Sequence, residues 1–200
     1  MRTKSETKRL TILEAGMTVF IERGYEAASM AEVAAQASCS KQTLYSYFSS
    51  KDDLFVAVML EKGAALADPA FIVLDEDRDL KDALREFSIR FLRFITSPEA
   101  LAIRRIVYAE GARSNLGKLF YEHGPKKGYV RMAEHLAHAM DKGQIRRSDP
   151  WIAAQQFYAL CEAGPVQNLL EGAVKAVTDE DLLKAATTAT DVFIRAYHPT

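Results

Sequence analysis

Residues 29–48 of this 200-residue chain, Ser-Met-Ala-Glu-Val-Ala-Ala-Gln-Ala-Ser-Cys-Ser-Lys-Gln-Thr-Leu-Tyr-Ser-Tyr-Phe, leave the backbone little choice. Ser29 and Glu32 form an S-x-x-E capping box that starts a helix. Met30, Val33, Ala34 and Ala37 then share one face at helical spacing. Ser38-Cys39-Ser40 is a tight turn, and Ser40 is placed to cap a second helix. Leu44 and Phe48, four apart, give that helix a single buried stripe, while its other side chains are Lys, Gln, Thr, Ser and Tyr. Two short helices and a turn in so few residues make a helix-turn-helix. A second helix that is apolar on one side and hydrogen-bonding on the other suits the DNA major groove.

The rest of the chain reads as helices. The first covers about 5–23, with Leu10, Leu13, Met17, Phe20 and Ile21 on one face and Gly24 as its stop. After the helix-turn-helix, Ser50-Lys51-Asp52-Asp53 reads as another capping box, opening a helix to about 66 that Asp68-Pro69 should break. The acidic stretch 75–79 reads as a solvated loop. Leu80, Leu84, Phe87, Phe91 and Phe94 recur at spacings of 4, 3, 4 and 3, an amphipathic helix. Further helices are expected over about 98–113, 128–142, 151–171 and 179–197. No alternating β-branched segment competes as a strand. The expected fold is all-α, with an N-terminal three-helix DNA-binding domain over 1–50, a connecting helix over 51–66 and a helical ligand-binding and dimerisation domain over 67–200.

Bulk properties narrow the class. Apolar residues at 48% and charged ones at 26% are ordinary for a globule with a core. No apolar run approaches the roughly 18–20 residues that span a bilayer. The N-terminus is polar and lacks the apolar centre of a signal peptide, so the expected location is cytoplasmic. Two cysteines, Cys39 and Cys161, make neither a disulfide framework nor a metal spacing. The net charge of −1 hides an asymmetry. Residues 1–51 carry seven basic and five acidic side chains, which leaves +2 there and −3 in the remainder. The sign at the N-terminal end favours phosphate contact.

The stretch from about Lys8 to Phe55 resembles the DNA-binding domain of the TetR (tetracycline-repressor-like) family of bacterial regulators. The matching pieces are Ile12-Leu13-Glu14-Ala15, Phe20, Gly24-Tyr25, Ser29 to Ala34, Ser40 to Phe48, and Lys51-Asp52-Asp53-Leu54. One departure is Ser38 in the turn, where the family often has Gly.

With Leu44 pointing inward, a turn of 100° per residue aims Gln42 and Ser46 outward and sets Thr43 and Tyr45 on the flanks. Lys41 and Gln42 are the first candidates for base edges, since Lys donates to guanine and Gln bonds adenine in bidentate fashion. By analogy with the family, Thr43, Tyr45, Tyr47 and Lys51 are expected on backbone phosphates, and Ser29 and Met30 at the groove edge. Lys4, Lys8 and Arg9 are candidates for a flexible basic arm.

One short helix reads few base pairs, so the resemblance implies a homodimer on a palindromic double-stranded operator. The last two helices, about 150–171 and 179–197, are the expected interface. Leu182, Ala186, Ala189, Phe193 and Ala196 form one stripe, and Ala153, Phe157, Leu160, Cys161 and Gly164 another. The aromatic-rich middle helices suggest a site for an unknown small apolar or amphipathic effector. Its tentative residues are Phe87, Phe91, Arg104, Tyr108, Glu110, Trp151, Gln155 and Tyr158. Two His without a third ligand, Glu134-His135 and His138, read as a solvated helix face rather than a metal site. No nucleophile elbow, phosphate loop or H-E-x-x-H motif is present, and no enzyme activity or cofactor is expected. The function implied is a sequence-specific transcriptional regulator, a repressor released by its effector. The alternative is a ligand-binding helical dimer that activates or does not bind DNA.

Overall fold

The computed structural model of the protein describes residues 5–74 and 78–199, and for 62–69 the backbone alone. Among these residues every regular element is a helix: α1 (Glu6–Ala27), α2 (Met30–Gln36), α3 (Lys41–Tyr47), α4 (Lys51–Ile72), α5 (Leu80–Ile95), α6 (Pro98–Glu110), α7 (Leu116–His123), α8 (Pro125–Asp141), α9 (Pro150–Glu162), α10 (Pro165–Glu171) and α11 (Asp179–Ala196). Among the described residues, no helix is long and apolar enough to cross a membrane. The expected loop at 75–77 lies outside the described residues. Asp79, just after it, caps α5 by accepting the Asp82 amide at 3.1 Å.

The chain divides into two compact units, Met1–Gly63 with Ala102–Gly124, and Ala64–Leu101 with Pro125–Thr200. In the first, Ile12, Leu13 and Phe20 of α1 bury against Val33, Leu44, Leu54 and Phe55, with Ile103, Val107 and Leu116 joining them. Phe20, Tyr25 and Phe55 touch one another with ring centroids 5.2–5.8 Å apart. Gly16 permits α1 to approach α4 closely, since a Cβ there would lie 3.3 Å from a Val58 methyl. Gly24 takes φ 75 and ψ 167, a conformation open to glycine, and so breaks α1 where the sequence expected its stop. One further helical turn follows the break.

The second unit packs α11 against α5 and α9, and α8 against α9. Leu84, Phe87, Met132, Leu136, Phe157, Cys161 and Phe193 are fully enclosed in its core. Leu182, Ala186, Ala189 and Phe193, expected on a pairing surface, are instead buried within their own chain. Ala153, Phe157 and Cys161 are likewise internal, while Leu160 is half-buried and Gly164 and Ala196 exposed. Phe193 sits 5.0 Å from Phe157 and 4.4 Å from Tyr197, ring to ring. Packing inside one chain absorbs both stripes.

Proline behaves in two ways here. α4 runs on through Pro69 to Ile72 instead of ending near 66. Burial of Ala70, Phe71, Val73 and Leu74 outweighs the hydrogen bond that Pro69 cannot make. The single helix expected over 151–171 is two. Gly164 adopts φ 87 and Pro165 has no amide proton, so α9 ends at Glu162 and α10 starts at Pro165. α6 also stops at Glu110, short of the expected 113, and the short α7 follows it.

Candidate nucleic-acid interface

The helix-turn-helix is fastened at each end by its own polar side chains. Ser29 Oγ accepts the Glu32 amide at 3.2 Å, and Glu32 accepts from the Ser29 amide at 3.0 Å and hydroxyl at 2.8 Å. The Ser29 hydroxyl, its amide and nearby Arg23 hold the Glu32 carboxyl below its ordinary range, so it stays an acceptor at neutral pH. The turn closes with the Ser38 amide on Ala35 O at 3.0 Å and the Cys39 amide on Ala34 O at 2.9 Å. Ser38 has φ 49, the one positive value at a non-glycine among the described residues. Ser40 Oγ then accepts the Thr43 amide at 3.0 Å and starts α3. Leu44 is fully buried and fixes the rotation of α3 about its axis.

That rotation leaves Lys41, Gln42, Tyr45 and Ser46 exposed on one side of α3. Tyr45, a large aromatic, is 51% exposed. Thr43 is half-buried, its hydroxyl 2.9 Å from that of Ser40. Tyr47 reaches back to the start of α1: its hydroxyl accepts the Ser5 amide at 2.9 Å and donates to Ser5 O at 3.3 Å. The recognition helix and the first helix are thus pinned together through one phenol.

Other expected members of the interface have different work. Met30 is a core residue at 8% exposure, because the helical stripe that includes Val33 turns it inward. Lys51 sends its ammonium to three carbonyls, Tyr25 O at 2.7 Å, Glu26 O at 3.1 Å and Ala28 O at 3.1 Å. It also lies 4.5 Å from the Tyr25 ring centroid. Tyr25 in turn donates to Asp52, and burial with that bond pushes its phenol well above the ordinary range. Lys51 thus caps the end of α1. Lys8 caps α2 in the same manner, donating to Ala37 O at 2.8 Å and Ser38 O at 3.3 Å. Arg9 pairs with Glu6 at 3.1 Å and Glu61 at 3.0 Å. Both belong to α1, so neither is a loose arm, and Lys4 lies outside the described residues. These caps join residues more than twenty positions apart, and no local spacing announces them.

Two family models match the chain. One, described as bacterial regulatory proteins of the tetR family, covers residues 12–58. The other, described as the C-terminal domain of AefR-like transcriptional repressors, covers residues 82–199, more than half of the chain. The chain belongs to the TetR family. Solved structures agree along its whole length. A Mesorhizobium loti protein assigned to the family superposes with a TM-score of 0.85 at 27% identity, over 98% of this chain and 99% of that one. The flavonoid-responsive regulator FrrA gives 0.81 at 30% identity, over 98% and 99%. The transcriptional activator FasR of Mycolicibacterium smegmatis is 36% identical over 94 residues, which are 47% of this chain and 43% of FasR. The match thus spans less than half the length of FasR. This TetR-family chain is a transcriptional regulator rather than an enzyme.

The tentative effector residues do not converge on one unit. Arg104, Tyr108 and Glu110 lie in the first, where Arg104 donates to the Tyr108 hydroxyl at 3.2 Å and Tyr108 is 64% exposed. Phe87, Phe91, Trp151, Gln155 and Tyr158 lie in the second. There Phe91 meets Tyr158 at 4.8 Å, Tyr158 meets Tyr129 at 5.0 Å, and Tyr129 meets Trp151 at 5.7 Å. Phe87 and Tyr158 are core residues, and Gln155 is exposed. Tyr158 donates to Gly128 O at 3.3 Å, and burial pushes its phenol far above the ordinary range. Cys161, 3.4 Å from the Ser88 hydroxyl, is pushed up to about 12 by burial, which leaves it a protonated, packed thiol.

Proposed function

We propose that this TetR-family regulator is a homodimeric repressor that reads a palindromic operator with α3 and is released by a small-molecule effector. The observation that carries the reading is the outward face of α3. Lys41, Gln42, Tyr45 and Ser46 are exposed together on a helix capped by Ser40 and locked in rotation by Leu44. Lys41 and Gln42 reach base edges, and Tyr45 and the Thr43 hydroxyl contact phosphates. Ser29, Tyr47, Lys8 and Lys51 position the recognition helix, and Met30 packs beneath it. Two copies supply two recognition helices about 34–36 Å apart, one turn of the duplex. The cytoplasm is where such a protein meets the chromosome.

Effector release follows from differential affinity. A ligand that binds better to a dimer geometry unsuited to the operator lowers DNA affinity by that difference and no more. α4 contributes residues to both units and is one of the covalent links between them. The AefR-like C-terminal match and the ligand-responsive name of FrrA support this reading. FasR, named an activator, makes the opposite sign the competing outcome.

Selection of DNA from a random pool tests the proposal. The expected result is an enriched palindrome bound by a dimer, with affinity lost or sequence preference relaxed in Lys41→Ala/Gln42→Ala. A folded dimer that enriches no sequence, or a double variant that binds the site like the parent, overturns it.

A further inference from the structure

Ser46 stands two residues after the buried Leu44 and four after Gln42 on α3. Two residues along a helix turn a side chain by about 200°, so Gln42 and Ser46 both point away from the core, one turn apart. Ser46 is exposed, yet its hydroxyl is committed inside its own helix. Its Oγ lies 2.7 Å from the carbonyl oxygen of Thr43. A carbonyl oxygen accepts and never donates, so the single hydroxyl proton of Ser46 fills that bond. The side chain presents only its lone pairs outward. A serine bonded back to its own helix is ordinarily just a solvated residue. This one sits on the face that carries the DNA-reading proposal, and its neighbours differ from it in chemistry. Lys41 offers donors alone, and Gln42 offers both kinds.

In the major groove the amino groups of adenine (N6) and cytosine (N4) are donors, while guanine and thymine show acceptors. We infer that Ser46 is a specificity-determining contact that accepts from the exocyclic amino group of an adenine or a cytosine in each half-site. The inference rests on the reading of α3 as the recognition helix. Facing guanine or thymine, the lone pairs of Ser46 meet other lone pairs. To donate there instead, Ser46 must give up its bond to Thr43. The net worth of such a bond sets the preference for the amino-bearing base at about two- to tenfold. A bidentate pair from Gln42 discriminates more strongly than that. Ser46 therefore refines a site that Lys41 and Gln42 define.

DNA selected from a random pool by the full chain and by Ser46→Ala locates the base pair whose preference depends on Ser46. At that pair the amino-bearing base is replaced by an analogue with no amino group in the major groove, 2-aminopurine for adenine or 2-pyrimidinone for cytosine. Both proteins are titrated against the natural and the substituted duplex by fluorescence anisotropy. The replacement is expected to weaken binding of the parent about two- to tenfold and to leave the affinity of Ser46→Ala unchanged. This compares the response of each protein to one amino group, so a general loss of affinity in the variant does not imitate it. Three results overturn the inference and leave the operator-reading proposal standing. They are an enriched palindrome with no pair that responds to Ser46→Ala, a parent indifferent to the replacement, and a variant that responds to it as the parent does. A pool in which the folded parent enriches no sequence removes both.

Discussion

Lys51 carries a positive charge at the start of α4, two residues past Ser49 and close in sequence to the recognition helix. An ammonium has three protons, and those of Lys51 go to the three carbonyls that end α1. A lysine on a phosphate releases a counterion, so it contributes about −0.9 to the slope of log affinity against log salt. A lysine on carbonyls contributes nothing to that slope, although it holds the head together. Lys51→Met is therefore expected to weaken operator binding and leave the slope at its parental value, measured by fluorescence anisotropy from low to moderate salt. A slope reduced by about one unit would place Lys51 on the DNA instead. Lys8, which caps α2 at Ala37 and Ser38, belongs to the same class. Sequence reading put Lys51 on a phosphate by analogy with the family and Lys8 in a basic arm, because no local spacing shows the carbonyls they meet. Their acceptors come from another helix.

Between elements, the turn from α2 to α3 holds a non-glycine residue at positive φ, Ser38 at 49. Such a conformation costs a side chain roughly 1 kcal/mol that glycine does not incur. Ser38→Gly is expected to raise stability by up to about 1 kcal/mol in denaturant titration, partly offset by glycine's greater freedom when unfolded. Unchanged or lower stability would mean that the extra freedom of glycine in the unfolded chain outweighs the relief of the turn. This turn was legible in the sequence because caps and turn chemistry are local: Ser29, Glu32, Ser38 and Ser40 lie within a dozen residues. So were the starts of α9 and α11, where Asp149 and Thr178 accept amides as caps do. The failures were global. Pro69 reads as a stop, yet buried Phe71 and Leu74 carry α4 past it. The periodic stripe over 151–171 reads as one helix, yet Gly164 and Pro165 cut it. For the site, the outward residues of α3 followed from one buried leucine. The roles of Lys8 and Lys51 did not, because their carbonyl acceptors lie more than twenty residues away along the chain.

Across the whole molecule, the stripes that periodicity singled out on α9 and α11 are spent on the chain's own core, so a dimer requires other residues. α11 has a second face: Ala185, Thr188 and Val192 line a groove of about 470 Å³ together with Leu160, Ala163 and Pro165. Val192 is 43% exposed. This is apolar surface on the same pair of helices that the family resemblance assigned to dimerisation, rotated away from the stripe first chosen. A specific dimer buries at least about 1,000 Å² in total, so a dimer seated on this groove would extend beyond it. Thr188→Lys/Val192→Lys places two like charges at that centre in each copy. The expected outcome is a folded monomer by sedimentation velocity and circular dichroism, with affinity for the palindrome reduced by about a hundredfold or more as bivalency is lost. Phe193→Ala behaves oppositely, costing roughly 3–5 kcal/mol of fold stability because it empties the ring stack with Phe157 and Tyr197. A double-lysine variant that still sediments as a dimer moves the interface elsewhere. A variant that is monomeric yet binds the palindrome undiminished removes the dimer from the mechanism, since the second recognition helix would then add nothing.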